Sequence, residues 1–223
     1  MENIMNDNRR TLTLLAVNAL ALVGLAPRLL KLIGEANAQT PEVPAGSREE
    51  IARRLPNVEF RTQHNRRVKF YDDLVKDKKV LINFMYTECS DTCPRTTANL
   101  VKVQKVFGER MGRDIFFLSI SLTPDRDTPE KLKAYAEEQG CGEGWYFLNG
   151  KMDDVDRVRR SLGVYDNPDV SQHLGILTYG NEREGKWGAT PTLASADHIA
   201  WTVTRRIDPW VAQPWPARGS SQE

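Results

Sequence analysis

The sequence predicts an α/β sandwich with a mixed central sheet, and three observations carry that expectation. Residues 80–86 and 115–121 are continuous apolar runs, the pattern of strands covered on both faces. Each is followed by a stretch whose apolar residues recur at helical spacing, which lays helices against the sheet. Alternating segments at 58–62 and 68–71, and again at 174–179 and 186–187, read as hairpins that open and close the domain.

Taken in order, residues 39–47 hold Pro41, Pro44 and Gly46, and residues 39–56 are expected to form a linker. The first hairpin turns through 63–67. The run 80–86 then leads into Cys89, Cys93 and Pro94. Proline suits the first turn of a helix, where its missing N–H would have no partner anyway. Both thiols are therefore expected where a strand hands over to a helix. Leu100, Val103, Phe107 and Met111 mark that helix's inner face. After strand 115–121, Thr128 caps a helix carrying Leu132, Tyr135 and Ala136, and Gly140 ends it.

A short strand at 145–148 follows. Asp153 and Asp154 open a helix with Val155, Val158 and Leu162 facing inward, Arg159 and Arg160 complementing its dipole, and Gly163 stopping it. The second hairpin turns through 180–185. Ser195 caps a last helix with Ile199, Val203 and Ile207 toward the core. Pro209, Pro214 and Pro216 make residues 209–223 a non-helical tail. Hairpin, βα, βα, β, α, hairpin, α is the order of a thioredoxin-like sandwich, expected over residues 57–208.

With 223 residues and 40% hydrophobic content, the chain can build one domain with a real core plus appendages. A net charge of +1 makes no electrostatic case for nucleic acid. Three cysteines exclude a disulfide-dense scaffold. Residues 1–38 read as an address. Arg9-Arg10 precedes an uncharged, mostly apolar run at 11–26, and Ala36-Asn37-Ala38 is a small-residue cleavage pattern. The segment resembles a twin-arginine export signal. Its apolar run is shorter than the roughly 20 residues that span a bilayer, which favours cleavage after Ala38 over a retained membrane anchor. In either case the domain is expected to be periplasmic or otherwise extracytoplasmic, where thiols can oxidise.

Cys89 and Cys93 are separated by Ser90, Asp91 and Thr92, one residue more than the Cys-x-x-Cys of thioredoxin-type redox enzymes. The extra residue gives both sulfurs room to approach a common metal. A helix N-terminus favours thiolate over thiol, and soft thiolates select Cu(I) or Zn(II). Two donors leave a metal under-coordinated, so a third is expected from the three histidines. His64 falls at the first hairpin's tip and His198 in the first turn of the last helix, both surface positions. His173, in the irregular segment after Tyr165, is the expected donor, because in a thioredoxin-like fold that segment packs beside the thiols. Asp91 reads as shaping its loop, Asp127 as a helix start beside Asp125, and Cys141 as a small turn residue. Trp145, Trp187 and Trp201 fit core positions.

Residues 84–94 (Phe-Met-Tyr-Thr-Glu-Cys-Ser-Asp-Thr-Cys-Pro), 99–104 (Asn-Leu-Val-Lys-Val-Gln), 121–129 (Ser-Leu-Thr-Pro-Asp-Arg-Asp-Thr-Pro) and 132–136 (Leu-Lys-Ala-Tyr-Ala) resemble the Sco/SenC family. The likeness covers residues 57–208. It implies a thioredoxin-like copper protein that helps assemble the binuclear Cu(A) centre of cytochrome c oxidase. Carried over by position, its ligands for Cu(I) or Cu(II) would be Cys89, Cys93 and His173. Its partners would be oxidase subunit II or a similar Cu(A)-bearing protein, and thioredoxin-like reductants. The chain departs from the family's pattern at Gln172-His173-Leu174, where Asp-His-Ser is common, and at Gly180-Asn181-Glu182, where Asp-Pro-x-Gly is usual. The leading expectation is a copper metallochaperone. A thiol–disulfide oxidoreductase that reduces the oxidase's copper-site cysteines is the alternative. A peroxiredoxin-type peroxide enzyme would need Arg95 to activate a cysteine.

Overall fold

The computed structural model describes residues 46–89, 92–165, 169 and 175–208. The expected export signal at 1–38, Ser90, Asp91, His173 and the tail at 209–223 lie outside the described residues. Seven strands run β1 Glu59–Thr62, β2 Arg67–Lys69, β3 Lys79–Met85, β4 Ile115–Ser121, β5 Trp145–Gly150, β6 Ile176–Asn181 and β7 Lys186–Pro191. They form one sheet in the order β2-β1-β5-β4-β3-β6-β7. β3, β4 and β5 are parallel, with Leu81 beside Phe117 and Phe117 beside Trp145. The outer pairs are antiparallel. The helices are α1 Arg48–Arg54, α2 Thr92–Phe107, α3 Pro129–Glu138, α4 Met152–Ser161 and α5 Ala196–Ile207.

Side chains alternate across a strand, so β3 splits its apolar run between two cores. Leu81 and Met85 join Phe117, Trp145 and Phe147 under Leu100 and Val103 of α2, Leu132 of α3 and Ile199 and Val203 of α5. Val80 and Ile82 join Leu118, Ile120 and Leu148 under Ile51 of α1 and Val155 and Val158 of α4. Helices on both faces explain why the central strands read as unbroken apolar runs. The mixed sheet, flanking helices and opening hairpin agree with the expected thioredoxin-like sandwich.

Four details differ from the sequence reading. Residues 48–54, expected within a linker, form α1. Ser47 accepts the Glu50 N–H while the Glu50 carboxylate accepts the Ser47 N–H, a reciprocal cap, and Ile51 is fully buried. α1 is docked by Arg48, whose Nε lies 3.0 Å from the buried Glu182 carboxylate. The same carboxylate accepts the Tyr71 hydroxyl at 2.8 Å and the Asp77 N–H at 2.8 Å. β2 ends at Lys69, and Phe70–Val75 is a π-helical turn that buries Phe70, Leu74 and Val75. α2 stops at Phe107, where Gly108 takes φ +53°, although Met111 beyond it is still buried.

Trp201 is 41% exposed rather than in the core. Ile199 and Val203, four apart, claim the inner face of α5, and Trp201 lies two positions from each. It packs outside against His198 and under the Arg205 guanidinium, 5.1 Å from the ring. Trp145 and Trp187 are buried as expected. Among the described residues no helix is long and apolar enough to cross a membrane.

Candidate metal centre

β3 delivers the chain to the cysteines. A tight turn follows Met85, with the Cys89 N–H donating to the Tyr86 carbonyl at 3.3 Å. Cys93 stands in the first turn of α2, and its N–H donates to the Cys89 sulfur at 3.3 Å. The two residues thus meet at a helix N-terminus, as their placement around Pro94 predicts. Cys89 is half-buried and Cys93 is 2% exposed, and no disulfide joins them.

The expected thiolate preference fails for Cys93. Burial in the apolar core pushes its thiol up to about 12. A hydrogen bond with the Tyr86 backbone opposes the rise, while Cys89 and the charge of Asp127 add to it. The helix N-terminus is outweighed here because the sulfur sits beneath the surface among Met85, Leu100 and Tyr135. The Tyr86 phenol hydrogen-bonds Cys89 and is itself raised to about 12, by that bond first and by burial second. Asp169 also raises it through its charge, so Asp169 stands within electrostatic reach of the site.

Asp127 is more than a helix start. It is fully buried, and its carboxylate accepts the Thr87 N–H at 3.2 Å, the Ser121 hydroxyl at 2.6 Å, the Thr123 hydroxyl at 3.1 Å and the Thr87 hydroxyl. Thr128 serves as the N-cap of α3, accepting the Lys131 N–H. Nothing in the residue type marks Asp127 as buried. The signal that could have found it is the three hydroxyls at Thr87, Ser121 and Thr123, which converge once β3 and β4 are paired. Asp125 is exposed.

On the surface, Glu88 bridges to Arg126 at 3.1 Å and to Lys131 at 3.4 Å. Between Tyr86, Leu122, Pro124, Arg126 and Met152 lies a groove of about 440 Å³ beside the cysteine turn. Cys141 closes the end of α3, its N–H donating to the Ala136 carbonyl at 2.9 Å, and burial raises its thiol to about 12. That fits the turn role expected of it. His64 and His198 are exposed, and Arg95 is exposed in the first turn of α2. Among the described residues, no cluster of three or more His, Cys, Asp or Glu side chains could hold a metal. The thiol pair is brought together, and the expected third donor, His173, lies outside the described residues.

Comparison with known proteins adds a family to this geometry. The SCO1/SenC family model matches residues 50–178. A Stutzerimonas stutzeri protein named for copper binding is 29% identical over 164 residues, 72% of each chain. The human mitochondrial SCO1 homologue is 32% identical over 90 residues, which is 40% of this chain and 29% of that one. The chain therefore spans less than a third of the human relative's length in that match. The crystal structure of a SCO1/SenC family lipoprotein from Bacillus anthracis superposes with a TM-score of 0.58 at 26% identity, covering 68% of this chain and 94% of that one. With a family match over more than half its length, and the paired thiols set at a strand–helix junction, the chain belongs to the SCO1/SenC family.

Proposed function

We propose that this protein is a copper metallochaperone that binds one copper ion through Cys89, Cys93 and His173 and carries it to the Cu(A) site of cytochrome c oxidase, on subunit II or a similar recipient. The observation that carries the reading is the pair of unbridged thiols at the N-terminus of α2, one half-exposed and one buried. The copper-binding name of the Stutzerimonas stutzeri relative supports the metal, and the lipoprotein relative supports an extracytoplasmic place of work. The chemistry suits transfer. Thiolates hold soft Cu(I) firmly, and a site with one ligand near the surface lets an incoming thiolate enter before a resident one leaves.

The reduced protein is expected to bind one copper per chain in a competition titration against a chromophoric Cu(I) chelator. Cys89→Ser and Cys93→Ser should each abolish tight binding. His173→Ala should weaken it and alter the Cu(II)–thiolate absorption band. Cys141→Ser should leave binding intact. An unaltered spectrum in His173→Ala would remove that residue from the ligand set, and full binding by either cysteine variant would end the metallochaperone reading.

A second reading, thiol–disulfide exchange with the oxidase's own copper-site cysteines, is favoured by one contact. The Cys93 N–H reaches the Cys89 sulfur at 3.3 Å, so the two residues already adjoin. Oxidation by a partner disulfide would join the sulfurs and leave the partner as a dithiol, with two electrons and two protons passing to it. The bridged form should then lose its copper affinity, because its sulfurs are no longer anionic donors.

A further inference from the structure

A buried carboxylate needs either a cation or a full set of hydrogen bonds to offset its lost hydration. Asp127 has the second: Thr87, Ser121 and Thr123 donate to it. Its own backbone is fixed independently of Thr87. The Asp127 N–H donates to the Thr123 carbonyl at 2.9 Å, and the Asp127 carbonyl accepts the Asn149 side-chain amide at 2.8 Å. The carboxylate is therefore a fixed point, anchored to the end of β4 and its following loop. Thr87 is attached to that point twice, by its amide and by its hydroxyl. It lies two residues before Cys89, just where the Tyr86 carbonyl and Cys89 N–H close the turn.

We propose that Asp127 is a positioning residue for the thiol pair, acting through Thr87 to set where the turn presents Cys89. For its consequence in copper binding the assignment rests on the metallochaperone reading; its geometry does not. The neighbouring Glu88 is tied to the same loop and helix by Arg126 and Lys131, but those ion pairs are solvent-exposed and hold weakly. The buried contacts define the turn and the exposed ones follow it. Charge-assisted hydrogen bonds of this kind are stronger than neutral ones, and their geometry is correspondingly stiff.

The test uses the full chain with Thr87→Val, Thr87→Ser, Asp127→Asn and Glu88→Gln, and two readouts. One is Cu(I) affinity by competition; the other, free of metal, is the alkylation rate of Cys89 in the reduced protein. Thr87→Val is expected to weaken Cu(I) binding about tenfold, near 1.4 kcal/mol, and to speed alkylation several-fold. Thr87→Ser restores both because it returns the hydroxyl, and Glu88→Gln changes neither. Asp127→Asn should follow Thr87→Val; if it fails to fold, the valine–serine pair carries the test. A lower melting temperature in Thr87→Val with both readouts unchanged would overturn the proposal, since Asp127 would then serve stability alone. If the unaltered protein binds no copper but Thr87→Val still frees Cys89, the copper reading fails and the positioning role stands.

Discussion

Cys93 is the residue on which the chemistry turns, because it is nearly inaccessible and its thiol is raised to about 12. A group with its pKa raised that far is a protonated thiol throughout the neutral range, so a metal must displace its proton to bind. Metal binding to this pair is expected to strengthen at least tenfold, on the order of one decade, for each pH unit between about 6 and 8. Competition titrations at three pH values check the slope, and a pH-stat should record acid released on loading. A flat profile would mean that Cys93 is already a thiolate in the free protein, against the burial that raises it. The spacing of the cysteines and the proline after them disclosed where this residue would lie. Its depth was not legible, because depth is decided by tertiary packing that places Cys93 in one buried core with Met85 of β3 and Tyr135 of α3. The same holds for Asp127, whose partners come from the end of β4 and from the loops after β3 and β4, and converge only in the folded chain.

Among the elements, those with a strong periodic signal were legible: the apolar runs of β3 and β4, and the spaced apolar faces of α3, α4 and α5 all lie where the pattern puts them. α1 was missed because a seven-residue helix is too short to show periodicity, although its Ser47–Glu50 cap was there to be read. The π-helical turn after β2 has no simple sequence signature. Short connections also carry constraint, and the loop before β5 shows how much. Gly144 has φ +78°, and a Cβ there would stand 2.1 Å from the backbone nitrogen of Gly112. Gly140 has a similar φ of +72° with open space around it. Gly140→Ala should therefore lose only the left-handed conformational term, about 1–2 kcal/mol. Gly144→Ala should lose clearly more, about 3 kcal/mol or above, since backbone must also move apart between that loop and the start of β4. Urea unfolding of the two variants makes the comparison, and equal losses would show that the Gly112 contact is soft.

Across the whole molecule, chemistry and stability occupy opposite ends of the central strands. β3 starts at Lys79 and ends at Met85, beside the cysteine turn, a run of roughly 20 Å at about 3.3 Å per residue. At the Lys79 end, Lys79 bonds Asp114 at 2.9 Å and Asp208 at 3.4 Å, and Arg110 bonds Asp114 at 2.7 Å and also pairs with Asp208. This cluster ties the starts of β3 and β4 to the end of α5. Burial pulls the Asp114 carboxyl upward, but the hydrogen bonds and charges of Arg110 and Lys79 outweigh it and hold the group below its ordinary range. A carboxyl depressed in the folded state adds stability that is fully present above its unfolded pKa, about 3.9, and is lost as pH falls through the lower folded value. Asp114→Asn should therefore lower the urea midpoint by a constant amount above about pH 5, with the gap to the unaltered protein closing below about pH 4. Its metal affinity at neutral pH should match that of the unaltered protein, because sites so far apart with no shared partner act independently. A gap that persists at low pH would assign the loss to packing rather than charge. A changed affinity would mean that the ion cluster and the thiol pair are coupled through β3, and that the two ends of this sheet work as one.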